Sequence, residues 1–317
     1  MILVTAADGR RDLPEPPYNA ATYLTTPTYD GSGAAVHPSV VDMGAVGWNG
    51  YRYWMAMTPY PSGNDDYENP SILASHDGLS WEVPDGLTNP IDPFPGGAAY
   101  NSDTDLVWDP DGGRMICYWR HYTGVSGATG NLTFCYSTST DGVTWSAQAD
   151  MFALTYPDDG ALFSPAVVRV AADDWRMFLV GSGQASKVHT STSPTGPWSE
   201  PAALTFNGTH SAGVTGGFWH WDITRYDGVF YGLVSSNIGA LTSAKIYAIT
   251  SIGGINWALN VTPVLNTRTA EWDAKLYRPT LVRARGKMRV WYSALGTDWQ
   301  IGHTEIPLTE WPDPSAP

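Results

Sequence analysis

The sequence predicts an all-β chain, a five-bladed β-propeller of four-stranded antiparallel blades, and three observations lead to that expectation. First, a turn running into a tryptophan recurs, most clearly as Ser75-His76-Asp77-Gly78-Leu79-Ser80-Trp81 and Ser139-Thr140-Asp141-Gly142-Val143-Thr144-Trp145. Weaker copies end at Trp198, Trp257 and Trp311, so the tryptophans lie 64, 53, 59 and 54 residues apart. A period of that size built from strands is the signature of a propeller. Second, five strand-like segments align without gaps between these turns, beginning at His37, Asp103, Ser164, His220 and Arg278. Third, the 317 residues include 33 Gly, 24 Pro, 15 Trp and 17 Tyr but only 15% charged residues, which suits many short strands joined by tight turns.

Each repeat reads as three strands and a Trp-terminated turn. Second strands such as Tyr51 to Met57, Met115 to Trp119, Trp175 to Val180, Val229 to Val234 and Met288 to Tyr292 are dense in aromatic and β-branched residues. Asn49-Gly50, Asp111-Gly112, Asp227-Gly228 and Arg285-Gly286 supply tight turns between first and second strands. The blades are expected at 37–84, 101–148, 162–201, 218–260 and 276–311. Residues 1–36 are expected to form an arm packed on the propeller, and 312–317 a disordered tail.

Composition excludes several function classes. A net charge of −14 argues against a nucleic-acid partner, which requires clustered Lys and Arg, and against an anionic membrane surface. No apolar run is long enough to span a bilayer. The first twelve residues lack the basic start and long apolar stretch of a secretory signal, so an extracellular or virion-associated protein would leave the cell by another route. The two cysteines, Cys117 and Cys135, lie on consecutive strands and either face each other or fill the sheet as free thiols.

In a propeller the first strand of each blade lines the central channel, so residues at its start converge on one mouth. These positions supply His37, Asp103, Ser164, His220 and Arg278, followed two residues on by Ser39, Asp105, Ala166, Asp222 and Thr280. Flanking loops add Glu68 and Asn69, Asn101, Arg120, Trp219 and Tyr277. Carboxylates interleaved with aromatic rings suit sugar recognition, since rings stack on a pyranose face and polar groups bond its hydroxyls. Glycosidases need two carboxyl groups across the scissile bond, one raised in pKa. Asp103, Asp222 and Glu68 are the expected catalytic carboxylates, with Asp103 as base or modulator, Asp222 its counterpart and Glu68 the proton donor. His37, Asn69, Asn101, Asp105, Arg120, Trp219, His220, Tyr277 and Arg278 are expected to bind substrate, with Arg278 paired to an axial carboxylate. No dedicated metal site or cofactor is expected from local spacing, although the axial histidines and aspartates leave room for a channel ion such as calcium.

The Asp-Gly-x-x-Trp turns resemble the Asp boxes of sialidases and related propellers, where the Asp and Trp are structural. The repeat layout over most of the chain resembles the five-bladed propeller glycoside hydrolases of the arabinanase, xylosidase and levansucrase type. That resemblance implies an Asp base in the first blade, an Asp modulator in the second and a Glu acid in the third. Asp103 matches the second, but His37 and Ser164 stand where the other two would be. The segments around Glu68, Asn101 and Trp219 are similar to those of bacterial and tailed-phage propellers, which implies virion tail assembly as a context. The leading expectation is a glycoside hydrolase acting on a cell-envelope or plant polysaccharide, arabinose-containing polymers included. The alternative is a non-catalytic propeller that binds oligosaccharide or polysaccharide, such as a minor tail protein, and a purely structural assembly protein is the third reading.

Overall fold

The computed structural model describes residues 16–124, 130–156, 162–181, 185–206, 217–236 and 241–315. Five antiparallel sheets follow one another along the chain, and the five inner strands are Ala35–Asp42, Ala99–Asp109, Leu162–Ala171, Phe218–Tyr226 and Lys275–Ala284. We number the blades I to V in that order. Blades II and III each have four strands, and blade IV is extended by the short strands Thr205–Phe206, which pairs in parallel, and Leu265–Asn266. Blades I and V have three full strands, and their fourth places are taken by bridges. In blade I Glu82 bridges Ala74, and in blade V Tyr23 of the N-terminal arm bridges Gly302. The arm therefore adds to the last blade, as Leu24 N–H donating to the Ile301 carbonyl at 2.8 Å also shows.

The apolar residues of the second and third strands point to both sheet faces, and each interface between neighbouring blades is one buried cluster. Trp54, Ile72, Met115 and Trp119 pack between I and II, and Ile116, Phe134, Trp175 and Met177 between II and III. Phe178, Trp221, Phe230 and Trp257 fill III and IV, and Leu233, Ile246, Val290 and Tyr292 fill IV and V. Tyr53, Met55, Val282 and Trp291 close the ring between V and I. Cys117 and Cys135 are buried free thiols. The register sets Cys117 opposite Ser137 and Cys135 opposite Trp119, so the two are offset along the hairpin and do not face each other.

The Trp-terminated turns behave as structural joints. Asp77 Oδ1 accepts from the Leu79 and Ser80 N–H groups at 2.7 and 2.8 Å, and Asp141 repeats the pattern with Val143 and Thr144. Gly78 sits at φ 76°, and its carbonyl accepts from Trp291 Nε1 of blade V at 2.8 Å. A side chain there would strike the Trp291 ring at 2.8 Å, so the glycine is required twice over. After Trp311 the chain is held at Pro312, whose carbonyl accepts from Thr250 Oγ1 at 2.8 Å, which departs from the expected loose tail at that residue.

A belt of hydrogen bonds around the axis joins the inner strands. At four of the five junctions the side chain two residues after the preceding blade's axial residue captures the next inner strand: Leu106 N–H donates to Ser39 Oγ (2.9 Å), Val167 N–H to Asp105 Oδ2 (2.7 Å), Leu281 N–H to Asp222 Oδ2 (3.2 Å) and Val40 N–H to Thr280 Oγ1 (3.1 Å). At the remaining junction blade III offers Ala166, which has no acceptor. Asp222 then folds back to accept from its own neighbour, Ile223 N–H, at 2.8 Å. Asp222 also accepts from Thr280 Oγ1 at 2.7 Å, and Asp105 from Ser39 Oγ at 3.0 Å. Burial pushes the Asp105 carboxyl up to about 7, helped by the Asp222 carboxylate and opposed by Arg278 and these donors. Burial also raises Asp222.

Two outcomes follow from this belt. Thr280→Val removes the acceptor for Val40 N–H and the donor to Asp222, and should destabilise the fold by on the order of 3 kcal/mol, read from the denaturant midpoint. The Asp105 carboxyl has a higher pKa folded, about 7, than its ordinary 3.8. The folded state thus binds the extra proton, and that contribution to stability is present below about pH 4 and is lost as pH rises through about 7. Thermal melts should show Asp105→Asn gaining on the parent between pH 5 and pH 8; an unchanged difference would exclude a retained proton on Asp105.

Candidate active site in the channel

The start of each inner strand is irregular. Register shifts interrupt pairing between Val36 and Ser39, Ser102 and Asp105, Phe163 and Ala166, Phe218 and Trp221, and Leu276 and Pro279. The bulged residue is the one read from sequence as axial, and His37, Asp103 and Ser164 take left-handed φ values of 55°, 54° and 42°. Such a conformation costs a non-glycine residue about 1–2 kcal/mol, and it turns the side chain out of the strand's alternation and into the channel. The left-handed residues are therefore strained where chemistry is expected.

Asp103 is the hub. Its Oδ1 accepts from Ser164 Oγ at 2.9 Å and lies 3.0 Å from His220 Nδ1 and 3.5 Å from His37 Nε2. Its Oδ2 is 3.1 Å from Arg120 Nη2. Arg120 is fixed in turn by Ser102 Oγ, to which Nε and Nη2 donate at 3.0 and 2.9 Å, and by stacking 4.7 Å above the Phe163 ring. Burial alone would raise the Asp103 carboxyl, but the Arg120 guanidinium and the hydrogen bond from His220 hold it well below the usual carboxylate range.

The imidazoles respond the other way. Their distances to Asp103 would fit charged pairs, but burial, with Arg278 and Arg120 close by, outweighs the carboxylate and lowers both. We therefore take both rings as neutral. His37 Nδ1 receives the Asp103 N–H at 3.2 Å and lies 3.0 Å from Thr58 Oγ1, while His220 Nδ1 is 2.7 Å from Ser164 Oγ. The Nε2 atoms of both rings are buried and have no hydrogen-bond partner among the described residues. His37, Asp103 and His220 each offer a ligand atom, and these atoms lie within 4.8 Å of one another. Two imidazoles and a carboxylate are a common donor set for a divalent transition metal.

Glu68 completes the cluster from the loop after the second strand of blade I. The short helical turn Asp65–Tyr67 delivers it, and its Oε1 lies 3.5 Å from His37 Nδ1. Burial raises the Glu68 carboxyl well above its ordinary range, and the negative charges of Asp65 and Asp103 add to the effect. Two carboxyl groups that flank one imidazole are thus pushed in opposite directions.

Aromatic rings roof the cluster. Tyr277 lies 5.2 Å from His37, 4.2 Å from His220, 5.0 Å from Trp219 and 4.9 Å from Trp299, ring centre to ring centre. Of the residues expected from sequence, the structure brings His37, Glu68, Asp103, Arg120, Trp219, His220, Tyr277 and Arg278 together. Asp222 and Asp105 belong instead to the belt one layer down, because the bulges break the strict alternation by which both layers were assigned to one mouth. Asn69 and Asn101 are buried behind Glu68, where Asn101 Nδ2 donates to Asn69 Oδ1 at 3.1 Å and Asn69 donates to the Asp66 carbonyl at 2.8 Å. They brace the loop. Arg278 pairs with the axial Asp103 carboxylate as expected, though at 4.0 Å from Nη1; its Nη2 donates to the Pro165 carbonyl at 3.2 Å, and Arg120 makes the closer ion pair. Sequence reasoning missed Thr58 and Phe163, which carry no signal beyond their nearness to strand ends.

No protein-family model matches the chain. It is 30% identical to an A type blood N-acetyl-α-D-galactosamine deacetylase from Flavonifractor plautii, over an alignment covering 88% of this chain and 43% of that protein. The chain thus spans less than half the length of that relative. The crystal structure of an N-acetylgalactosamine deacetylase from F. plautii, in complex with blood group B trisaccharide, superimposes with a TM-score of 0.78 at 25% identity, covering 95% of this chain and 98% of that one. The family-43 endo-arabinanase from Bacillus licheniformis gives 0.58 at 14% identity over 92% of this chain and 99% of that one, a likeness of fold. The chain is a five-bladed β-propeller with arabinanase- and xylosidase-like structural neighbours of glycoside hydrolase family 43 and with a sugar-deacetylase homologue.

Proposed function

We propose that this chain hydrolyses the acetamido group of an N-acetylated amino sugar, with a divalent cation held by His37, Asp103 and His220 and with Glu68 as the proton-transferring residue. The observation that carries this reading is the buried cluster of His37, Asp103 and His220, whose ligand atoms lie within 4.8 Å of one another, with the Glu68 carboxyl 3.5 Å from His37. The deacetylase activity of the F. plautii relative supports it.

The cation, when bound, supplies Lewis-acid polarisation of the acyl carbonyl. The remaining roles fall to the chain. Asp103 is kept ionised by Arg120, and Ser164 with His220 Nδ1 fixes the carboxylate's orientation. Glu68, as the carboxylate, takes a proton from the attacking water and returns it to the leaving nitrogen; the amide C–N bond breaks to give acetic acid and the amine, which leave as acetate and ammonium, and Glu68 is a carboxylate again. Its raised pKa suits the returning step. Tyr277 and Trp219 offer ring faces for the sugar and exclude water from the channel.

A second reading, glycoside hydrolysis, is favoured by the opposite pKa directions of Glu68 and Asp103. It asks Asp103 to reach a sugar carbon or its water while already engaged by Arg120, Ser164 and His220, and so ranks behind the first. Incubation with N-acetylated glycans separates the two: acetate release with an intact glycan chain is expected, whereas new reducing ends without acetate would overturn deacetylation. Glu68→Gln should lower turnover by about 10²–10⁴-fold with little loss of fold stability. Exhaustive chelation should abolish acetate release and a returned divalent transition metal should restore it, while His220→Ala should lose both activity and bound metal as counted by elemental analysis.

A further inference from the structure

We propose that a cleft on the rim of blade V is a second saccharide site, one that takes a pyranose unit bearing hydroxyls or a free amine but no carboxylate. The cleft has a volume of about 590 Å³ and is lined by Tyr23, Glu271, Trp272, Thr297, Asp298 and Gln300 among others. That volume lies within the range of small-molecule sites. Tyr23 is 48% exposed, which is unusual for a large ring on a segment tied into a sheet. Its ring stands at 63° to that of Trp272 with centres 6.1 Å apart, so the two form adjacent walls.

Trp272 is held rigidly from behind. Its indole covers Gly302, where a β-carbon would clash with the ring, it lies 5.2 Å from Tyr292, and its Nε1 donates to the Ala20 carbonyl at 3.2 Å. A fixed indole beside an accessible phenol is a preorganised stacking surface for the apolar face of a sugar ring. Glu271 and Gln300 line the same space and make no side-chain hydrogen bond with the described residues, and Asp298 uses one oxygen, Oδ1, on Trp299 N–H at 2.8 Å. These groups are available for hydroxyls. The lining carries two carboxylates and no cationic side chain, so a uronate is repelled and an ammonium is attracted, with the aromatic faces adding to that preference. Ala270, at the edge of the cleft, is held at φ 67°, a strained conformation for alanine that shapes the Glu271–Trp272 turn.

Position relates the cleft to the channel. The segment through Ala274 runs directly into the inner strand Lys275–Ala284, which carries Tyr277 and Arg278 to the axis. Ala274 to Arg278 is four residues, roughly 13 Å along an extended chain. The cleft and the channel site thus lie at the same end of blade V, within reach of one oligosaccharide. This inference rests on the carbohydrate reading but not on the reaction proposed for the channel.

Calorimetric titration of the whole protein with galactosamine-, galactose- and galacturonate-terminated trisaccharides tests it. Tyr23→Ala and Glu271→Gln both alter exposed side chains, and each should weaken the galactosamine trisaccharide at least tenfold while leaving acetate release from a monosaccharide substrate unchanged. The galacturonate trisaccharide should bind at least tenfold more weakly than the galactose one. Affinities indifferent to both substitutions, or tight binding of the uronate, would overturn the proposal. If acetate release fails altogether, the effect of the two variants on binding still decides the cleft, and its loss in Glu68→Gln but not in Tyr23→Ala would assign all binding to the channel and refute it.

Discussion

The buried belt in which inner-strand N–H groups are captured by side chains of the preceding blade is the constraint on which the rest of this propeller depends. A buried N–H left without a partner costs about 1–3 kcal/mol, so each acceptor both fixes a neighbouring blade and sets its height along the axis. Ser39, Asp105, Asp222 and Thr280 serve in this way, and the last of them joins blade V to blade I. Hydrophobic packing between the sheets supplies the larger favourable contribution but little directional information. The belt supplies direction. Where Ala166 interrupts it, Asp222 bonds its own strand and its partner blade together, which accounts for a carboxylate at that position.

Fixing the strands at that level allows the level above to be irregular. The bulges and left-handed residues at His37, Asp103 and Ser164 are tolerable because the strand is secured two residues further on. Their side chains converge as a result. The two axial layers then differ in kind: the lower one is saturated with hydrogen bonds, while the upper one leaves imidazole nitrogens and the Arg278 Nε and Nη1 without partners among the described residues. Unsatisfied buried polar atoms are costly in a structure and are concentrated here, where a ligand can satisfy them.

The contrast between Glu68 and Asp103 follows from their surroundings. Both are buried, which by itself raises a carboxyl pKa, and only Asp103 has a guanidinium at 3.1 Å. Glu68 instead faces Asp65 and Asp103, so the same burial that Arg120 overcomes for one residue is reinforced for the other. Two carboxyl groups on either side of one imidazole are thereby pushed in opposite directions. The cluster carries His37 and Ser164 where the resemblance to family-43 hydrolases implies carboxylates.

The sequence by itself determined the architecture, the blade count and the axial positions, because these depend on periodicity and turn chemistry that are local in the chain. The Trp-terminated turns measure the blades, and the aligned strand starts identify His37, Asp103, His220 and Arg278 as channel residues. Only the tertiary structure decided how those residues are used. Strand alternation assigned Asp105 and Asp222 to the same mouth as Asp103, yet bulges created by pairing with the second strands separate the layers. The closer approach of Arg120 than of Arg278 to Asp103, and the arm's place beside Gly302, depend on contacts between residues distant in sequence. Such contacts leave no periodic trace, since they arise from where five sheets meet and not from the pattern within any one of them.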